Sequence, residues 1–249
     1  MVIHLTSSLN VDIPQLTYEF ASGDTGVIPC NFKPRNAMNP SVIITWTAHP
    51  YNPEDRNIDI ITYYYSARRP AQEDVSDEYA GRASVQAIIS QGMATLTLQS
   101  LTSHDSRVYQ CDVKIPGDTR GKSSDTTTLV VWVAPSKPIC AIQGRVGFNQ
   151  NIKLTCHSDE GMPIPTYKWQ SYDVNNNPRP NPPKSTEGIM SLFNISKDTD
   201  GYYVCTAVNK INSQTCSLTL AIMPSSTNRR STKRITEECA ENCQWCMQT

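Results

Sequence analysis

Asp105-Ser106-Arg107-Val108-Tyr109-Gln110-Cys111 places a tyrosine two positions before a cysteine, and Gly201-Tyr202-Tyr203-Val204-Cys205 does so again. Outward from the first stretch, Cys30 lies 81 residues before Cys111, and Trp46 follows Cys30 by 16. Outward from the second, Cys156 lies 49 residues before Cys205, and Trp169 follows Cys156 by 13. One chain of 249 residues therefore carries the same order of cysteine, tryptophan, tyrosine and cysteine twice.

That order has a physical reading as a β-sandwich. Two antiparallel sheets bury their inner faces, a disulfide ties them, a tryptophan on the third strand packs against the bridge, and a tyrosine hydroxyl bonds back to the turn before the sixth strand. The fold class is all-β: two tandem immunoglobulin-like sandwiches, with structural roles for Trp46, Trp169, Tyr109 and Tyr203 and bridges Cys30 to Cys111 and Cys156 to Cys205. The longer span leaves room for the two extra strands of a variable-type (V) domain, and the shorter suits a constant-like C2 set. Domain bounds follow: an extension over 1–8, a V-type domain over 9–133, a linker over 134–138, a C2-type domain over 139–223 and a tail over 224–249. The linker has two prolines and no glycine, which predicts a short semi-rigid connection with the domains end to end.

Composition agrees with a soluble globular protein of an extracellular compartment. A net charge of −1 gives no electrostatic case for nucleic acid. Nine cysteines, two pairs of them at sandwich spacing, point to an oxidising compartment. Ala94-Thr-Leu-Thr-Leu-Gln-Ser-Leu101 alternates as a half-buried strand does. With Trp46, Tyr109, Cys111 and Val113 inward, alternation turns Ile43, Thr45, Thr47, Gln110, Asp112 and Lys114 outward. Together with Tyr63 and Tyr65 of Ile58-Asp-Ile-Ile-Thr-Tyr-Tyr-Tyr65 they form the candidate partner-binding surface, since aromatics are enriched at interface cores. The alternative is that these residues face their own core and cover the sheet edge. Arg82 is placed to pair with Asp105 as a structural clasp, whereas the second domain has Thr199 at the position equivalent to Asp105 and no obvious arginine partner. Asn194-Ile-Ser196 is the one open N-glycosylation sequon, because proline blocks Asn39-Pro-Ser.

Cys140 falls on the first strand of the second domain and Cys216 on its last. Four cysteines allow three pairings, and the adjacency of first and last strands selects Cys140 to Cys216 as a second bridge. An extra bridge of this kind in a C2 domain behind a V domain resembles the cortical thymocyte marker family, in its A33-antigen-like branch. The resemblance is carried by Asn10-Val-Asp-Ile-Pro-Gln15, Val27-Ile-Pro-Cys30, Pro135-Ser-Lys-Pro-Ile-Cys140, Asn151-Ile-Lys-Leu-Thr-Cys156, Glu160-Gly-Met-Pro-Ile-Pro-Thr-Tyr-Lys-Trp169 and the stretch from Asn194 to Cys205. It implies a single-pass cell-surface glycoprotein that binds a protein partner, homophilic or heterophilic, with no catalysis and no small-molecule substrate. A secreted decoy form and an innate immune receptor for a heterologous ligand are the alternatives.

Other chemistry is sparse. Met1-Val-Ile-His-Leu-Thr-Ser-Ser8 is not a convincing signal peptide, and no window of about 20 apolar residues exists, so the expectation is an ectodomain or an incomplete reading frame. In the polar tail Cys239, Cys243 and Cys246 form C-x3-C-x2-C, a spacing used for iron-sulfur clusters, but only three residues follow it and no fourth zinc ligand is near. An alternative exon or translated intron, with one cysteine free for an intermolecular bridge, is the reading taken. Ser103, His104, Asp105 and Ser106 sit on one turn and point apart, His4, His49 and His157 are isolated, and no glycine-rich phosphate loop is present. No metal, cofactor or catalytic residue is assigned.

Overall fold

The computed structural model describes residues 8–33, 41–50 and 54–222. Expectations for the tail from 224 onward, its three cysteines, His4 and the first seven residues lie outside the described residues. The chain forms two compact units, each a sandwich.

In the first unit the strands are β1 (Leu9–Asp12), β2 (Thr17–Ala21), β3 (Gly26–Lys33), β4 (Ser41–Ala48), β5 (Ile58–Ser66), β6 (Arg69–Val75), β7 (Ala83–Ile88), β8 (Met93–Leu98), β9 (Arg107–Lys114), β10 (Gly121–Lys122) and β11 (Ser124–Trp132). One sheet runs β10-β1-β3-β8-β7 and the other β2-β11-β9-β4-β5-β6. Period-two burial explains why these segments are strands. Along β4 every second side chain (Val42, Ile44, Trp46, Ala48) is buried, and along β8 the same holds for Ala94, Leu96 and Leu98. The inner faces meet in one core in which Trp46, Tyr79, Tyr109 and the joined Cys30 and Cys111 are fully buried. The chain crosses between sheets at its start: β1 pairs with β3, whereas β2 pairs in parallel with β11.

In the second unit β12 (Ile139–Gln143), β13 (Ile152–His157), β16 (Ile189–Leu192) and β15 (Ser185–Thr186) form one sheet in that order. The facing sheet is β14 (Thr166–Tyr172), β17 (Gly201–Val208) and β18 (Ser213–Leu220). Its core collects Leu154, Met190, Leu192, Ile195, Trp169 and Tyr203 around the joined Cys156 and Cys205. The Trp169 indole N–H donates to the Gly188 carbonyl at 2.9 Å, and the Cys156 amide donates to the same oxygen at 3.0 Å. Gly188 adopts φ +81°, and a Cβ there would stand 2.2 Å from the Cys156 carbonyl oxygen, so only glycine fits.

Candidate partner-binding face

Because cross-strand neighbours share a face, the register of the six-stranded sheet can be read outward from the buried Trp46. Three rows cross its outer surface: Thr126, Gln110, Thr47 and Asp59; then Ser124, Asp112, Thr45, Thr62 and Asp74; then Lys114, Ile43, Tyr64 and Gln72. Neighbours within the first two rows hold each other. Thr47 Oγ1 donates to Asp59 Oδ1 at 2.8 Å and the Thr45 and Thr62 hydroxyls share a bond at 3.4 Å, while His49, just beyond β4, meets Gln110 of the first row at 3.0 Å. Lys114 Nζ lies 3.6 Å from Asp112 Oδ1, an ion pair longer than a hydrogen bond. In the third row Ile43 and Tyr64 lie side by side, and Tyr64 is 42% exposed.

Tyr63 and Tyr65 do not belong to this surface, which corrects their assignment to it. The register sets Tyr63 opposite the buried Ile44 and Tyr65 opposite the buried Val42, and both rings pack on the core from the inner side. Burial, with Glu73 and Tyr65 nearby, raises the Tyr63 phenol above its usual range. The phase is set where Ile60 and Ile61 are both buried, at a register shift between Trp46 and Thr47. Tyr64, Thr62 and Asp59 are therefore the outward side chains of β5. In a run of three tyrosines the pattern of types holds no clue to which one faces out.

At the far end of this sandwich Arg82 grips Asp105 with both terminal nitrogens, Nη1 reaching Oδ2 at 3.0 Å, and the guanidinium lies 4.8 Å from the Tyr79 ring centroid. Burial acts to raise the Asp105 carboxyl, but Arg82 and the Thr102 amide and hydroxyl outweigh it and hold the group below the ordinary carboxylate range. Tyr109 donates to the Asp105 carbonyl at 3.0 Å, and burial pushes its phenol far up. In the second sandwich Tyr203 donates to the Thr199 carbonyl at 2.8 Å. An arginine does stand there: Arg179 donates to the carbonyls of Tyr172, Asp198 and Asp200, at 3.0, 2.8 and 2.6 Å, and lies 5.8 Å from the Tyr203 ring centroid. It grips backbone instead of a carboxylate, which is why no side-chain partner marks it. Asn194, exposed at φ +50°, sits on a turn with the Ser196 hydroxyl accepting the Asp198 amide.

Among the described residues one trio of sulfurs has the spacing of a metal site, Cys140, Cys156 and Cys216, all within 4.8 Å of one another. The structure joins Cys140 to Cys216 and Cys156 to Cys205, so no thiolate is left to donate to an ion.

Comparison with known proteins places this geometry. An immunoglobulin V-set domain matches residues 14–132, and a further immunoglobulin domain matches 137–209. The human cell surface A33 antigen is 31% identical over 221 residues, which cover 89% of this chain and 67% of that protein. The chain belongs to the cortical thymocyte marker family of the immunoglobulin superfamily. Another member of the superfamily, the chicken V-set and immunoglobulin domain-containing protein 1, is 28% identical over 219 residues, covering 88% of this chain and 63% of that protein. The I67–I69 fragment of titin aligns with a TM-score of 0.54 at 21% identity, over 87% of this chain and 66% of the fragment, and shares the fold. The A33 antigens of human and mouse are named as cell-surface proteins, and this chain, an immunoglobulin-superfamily member, is not an enzyme. Among the described residues no helix is long and apolar enough to cross a membrane.

Proposed function

We infer that this family member works on the extracellular side of the plasma membrane, where its first sandwich binds a protein partner through the outer face of the six-stranded sheet. The partner is a second copy of the chain or another cell-surface protein. The observation that carries this reading is the Ile43–Tyr64 cross-strand pair, an aliphatic and an aromatic residue on the outer face beside polar side chains that brace one another across the strands. Bracing matters because side chains already fixed lose less entropy on association. A tyrosine beside an aliphatic residue, next to Lys114 in its own row and flanked by Thr45 and Asp112 in the adjoining one, has the composition of a binding hot spot with a polar margin. Asn194 is proposed to carry an N-linked glycan in the second sandwich, where its exposure leaves it open to the transferase.

The test is a pair of tyrosine variants. Tyr64→Ala should weaken self-association or partner binding by about 2 kcal/mol, roughly thirtyfold, with the melting temperature nearly unchanged. Tyr63→Ala should do the opposite, lowering stability because it removes a ring packed on the core. Lys114→Glu, at a side chain 71% exposed, should mainly slow association. Undiminished binding by both Tyr64→Ala and Lys114→Glu would put the interface elsewhere.

A further inference from the structure

The four cysteines of the second sandwich form a two-by-two array. Cys140 on β12 and Cys156 on β13 are direct cross-strand partners. Cys205 lies four residues before Asn209 and Cys216 four after Asn212, the two residues whose backbone bond closes the β17–β18 hairpin, so they occupy matching positions on the facing sheet. Two bridges therefore cross between the sheets side by side. They differ in access: Cys140 and Cys216, on the edge strands β12 and β18, are half-buried, whereas Cys156 and Cys205 are 4% and 0% exposed. The two bridges are also close, since Cys216 Sγ lies 3.9 Å from Cys156 Sγ.

We propose that this array is a thiol–disulfide exchange site whose reactant is a dithiol reductant. A thiolate of the dithiol attacks Cys140 Sγ, which breaks the Cys140–Cys216 bond, forms a mixed disulfide on Cys140 and releases Cys216 as thiolate. The second thiol of the reagent displaces Cys140, so the reagent leaves as its own disulfide, oxidised by two electrons, and the protein bridge is reduced by two. The Cys216 thiolate then attacks the neighbouring Cys156 Sγ, forming Cys156–Cys216 and expelling Cys205 as thiolate, which takes up a proton. This last step has no net redox change. It lets a reagent that reaches only the outer bridge open the inner one, because the attack on the inner bridge comes from within the array. The product keeps one link between the sheets, now β13 to β18, and leaves edge strand β12 with no covalent tie.

The experiment treats the full chain with a limiting amount of dithiothreitol at mildly alkaline pH, quenches in acid, alkylates, and maps linked and labelled peptides without reduction. The expected result is a Cys156–Cys216 linked peptide with label on Cys140 and Cys205. Label confined to Cys140 and Cys216, with Cys156–Cys205 intact, would overturn the proposal. So would label on Cys30 or Cys111 at the same level, because that would show global unfolding. A Cys140→Ser chain gives a second reading with no reductant at all: Cys216 starts as the free thiol, and label should divide between Cys216 and Cys205. Label on Cys216 alone in that variant would also overturn the proposal.

Discussion

Asp105 is 2% exposed and charged, so the first sandwich depends on what surrounds that one carboxylate. Arg82→Met should cost on the order of 3 kcal/mol at neutral pH, since it leaves a buried charge with only Thr102 as donor. The sign with pH follows from the lowered carboxyl: its contribution is complete above the unfolded carboxylate value near pH ~4 and is lost as pH falls through the lower folded value. Melting curves from pH 7 downward should therefore show the gap between wild type and Arg82→Met closing in acid; a constant gap would mean that Arg82 acts by packing alone. In the other sandwich, Gly188→Ala should cost about 1–3 kcal/mol by thermal denaturation, because the left-handed backbone and the Cys156 carbonyl both oppose a Cβ. Arg82 and Asp105 are named by the sequence through their places in a variable-type frame. Arg179 is not, because it comes from a proline-rich loop and binds carbonyls, which every residue carries and no pattern of residue types records.

Strands show the same division between what residue types declare and what register decides. β3, β4 and β9 announce themselves because each alternates buried and outward residues around one cysteine or tryptophan, and β8 does so by its Thr-Leu-Thr-Leu alternation alone. The repeated cysteine, tryptophan and tyrosine spacing carries the tandem sandwiches without further help. β5 is different: Tyr63, Tyr64 and Tyr65 suit either face, and only its pairing with β4, shifted by one residue beside Trp46, turns Tyr64 outward. β6 closes this sheet as an edge strand whose residues Arg69 to Asp74 are all exposed, with Pro70, Glu73 and Asp74 among them. Prolines and charges on an edge discourage pairing with another chain. Replacing Glu73 with Val and Asp74 with Thr should therefore produce concentration-dependent oligomers in sedimentation velocity, even when Tyr64→Ala is also present; a monodisperse variant would show that the edge is protected by something other than its charges.

For the molecule as a whole, two facts bound the chemistry: a net charge of −1 spread over 249 residues, and sandwiches held by bridges across long loops. A loop of 81 residues closed by Cys30 and Cys111 contributes roughly 4 kcal/mol through the unfolded state in the chain-entropy model, so the first sandwich should fail at body temperature when both cysteines are replaced by serine. The parallel pairing of β2 with β11 has a different consequence, mechanical in kind. β2 is near the start of the first sandwich and β11 ends it, and five residue pairs join them in the same direction, Thr17 with Thr128 through Ala21 with Trp132. A pull applied at the two ends of this sandwich drags those strands past each other, so all the bonds between them are loaded at once and must fail together. A pull across the antiparallel β4–β5 pair, from Ala48 and Ile58, would open its bonds one after another. Single-molecule stretching should therefore record a higher rupture force in the first geometry than in the second.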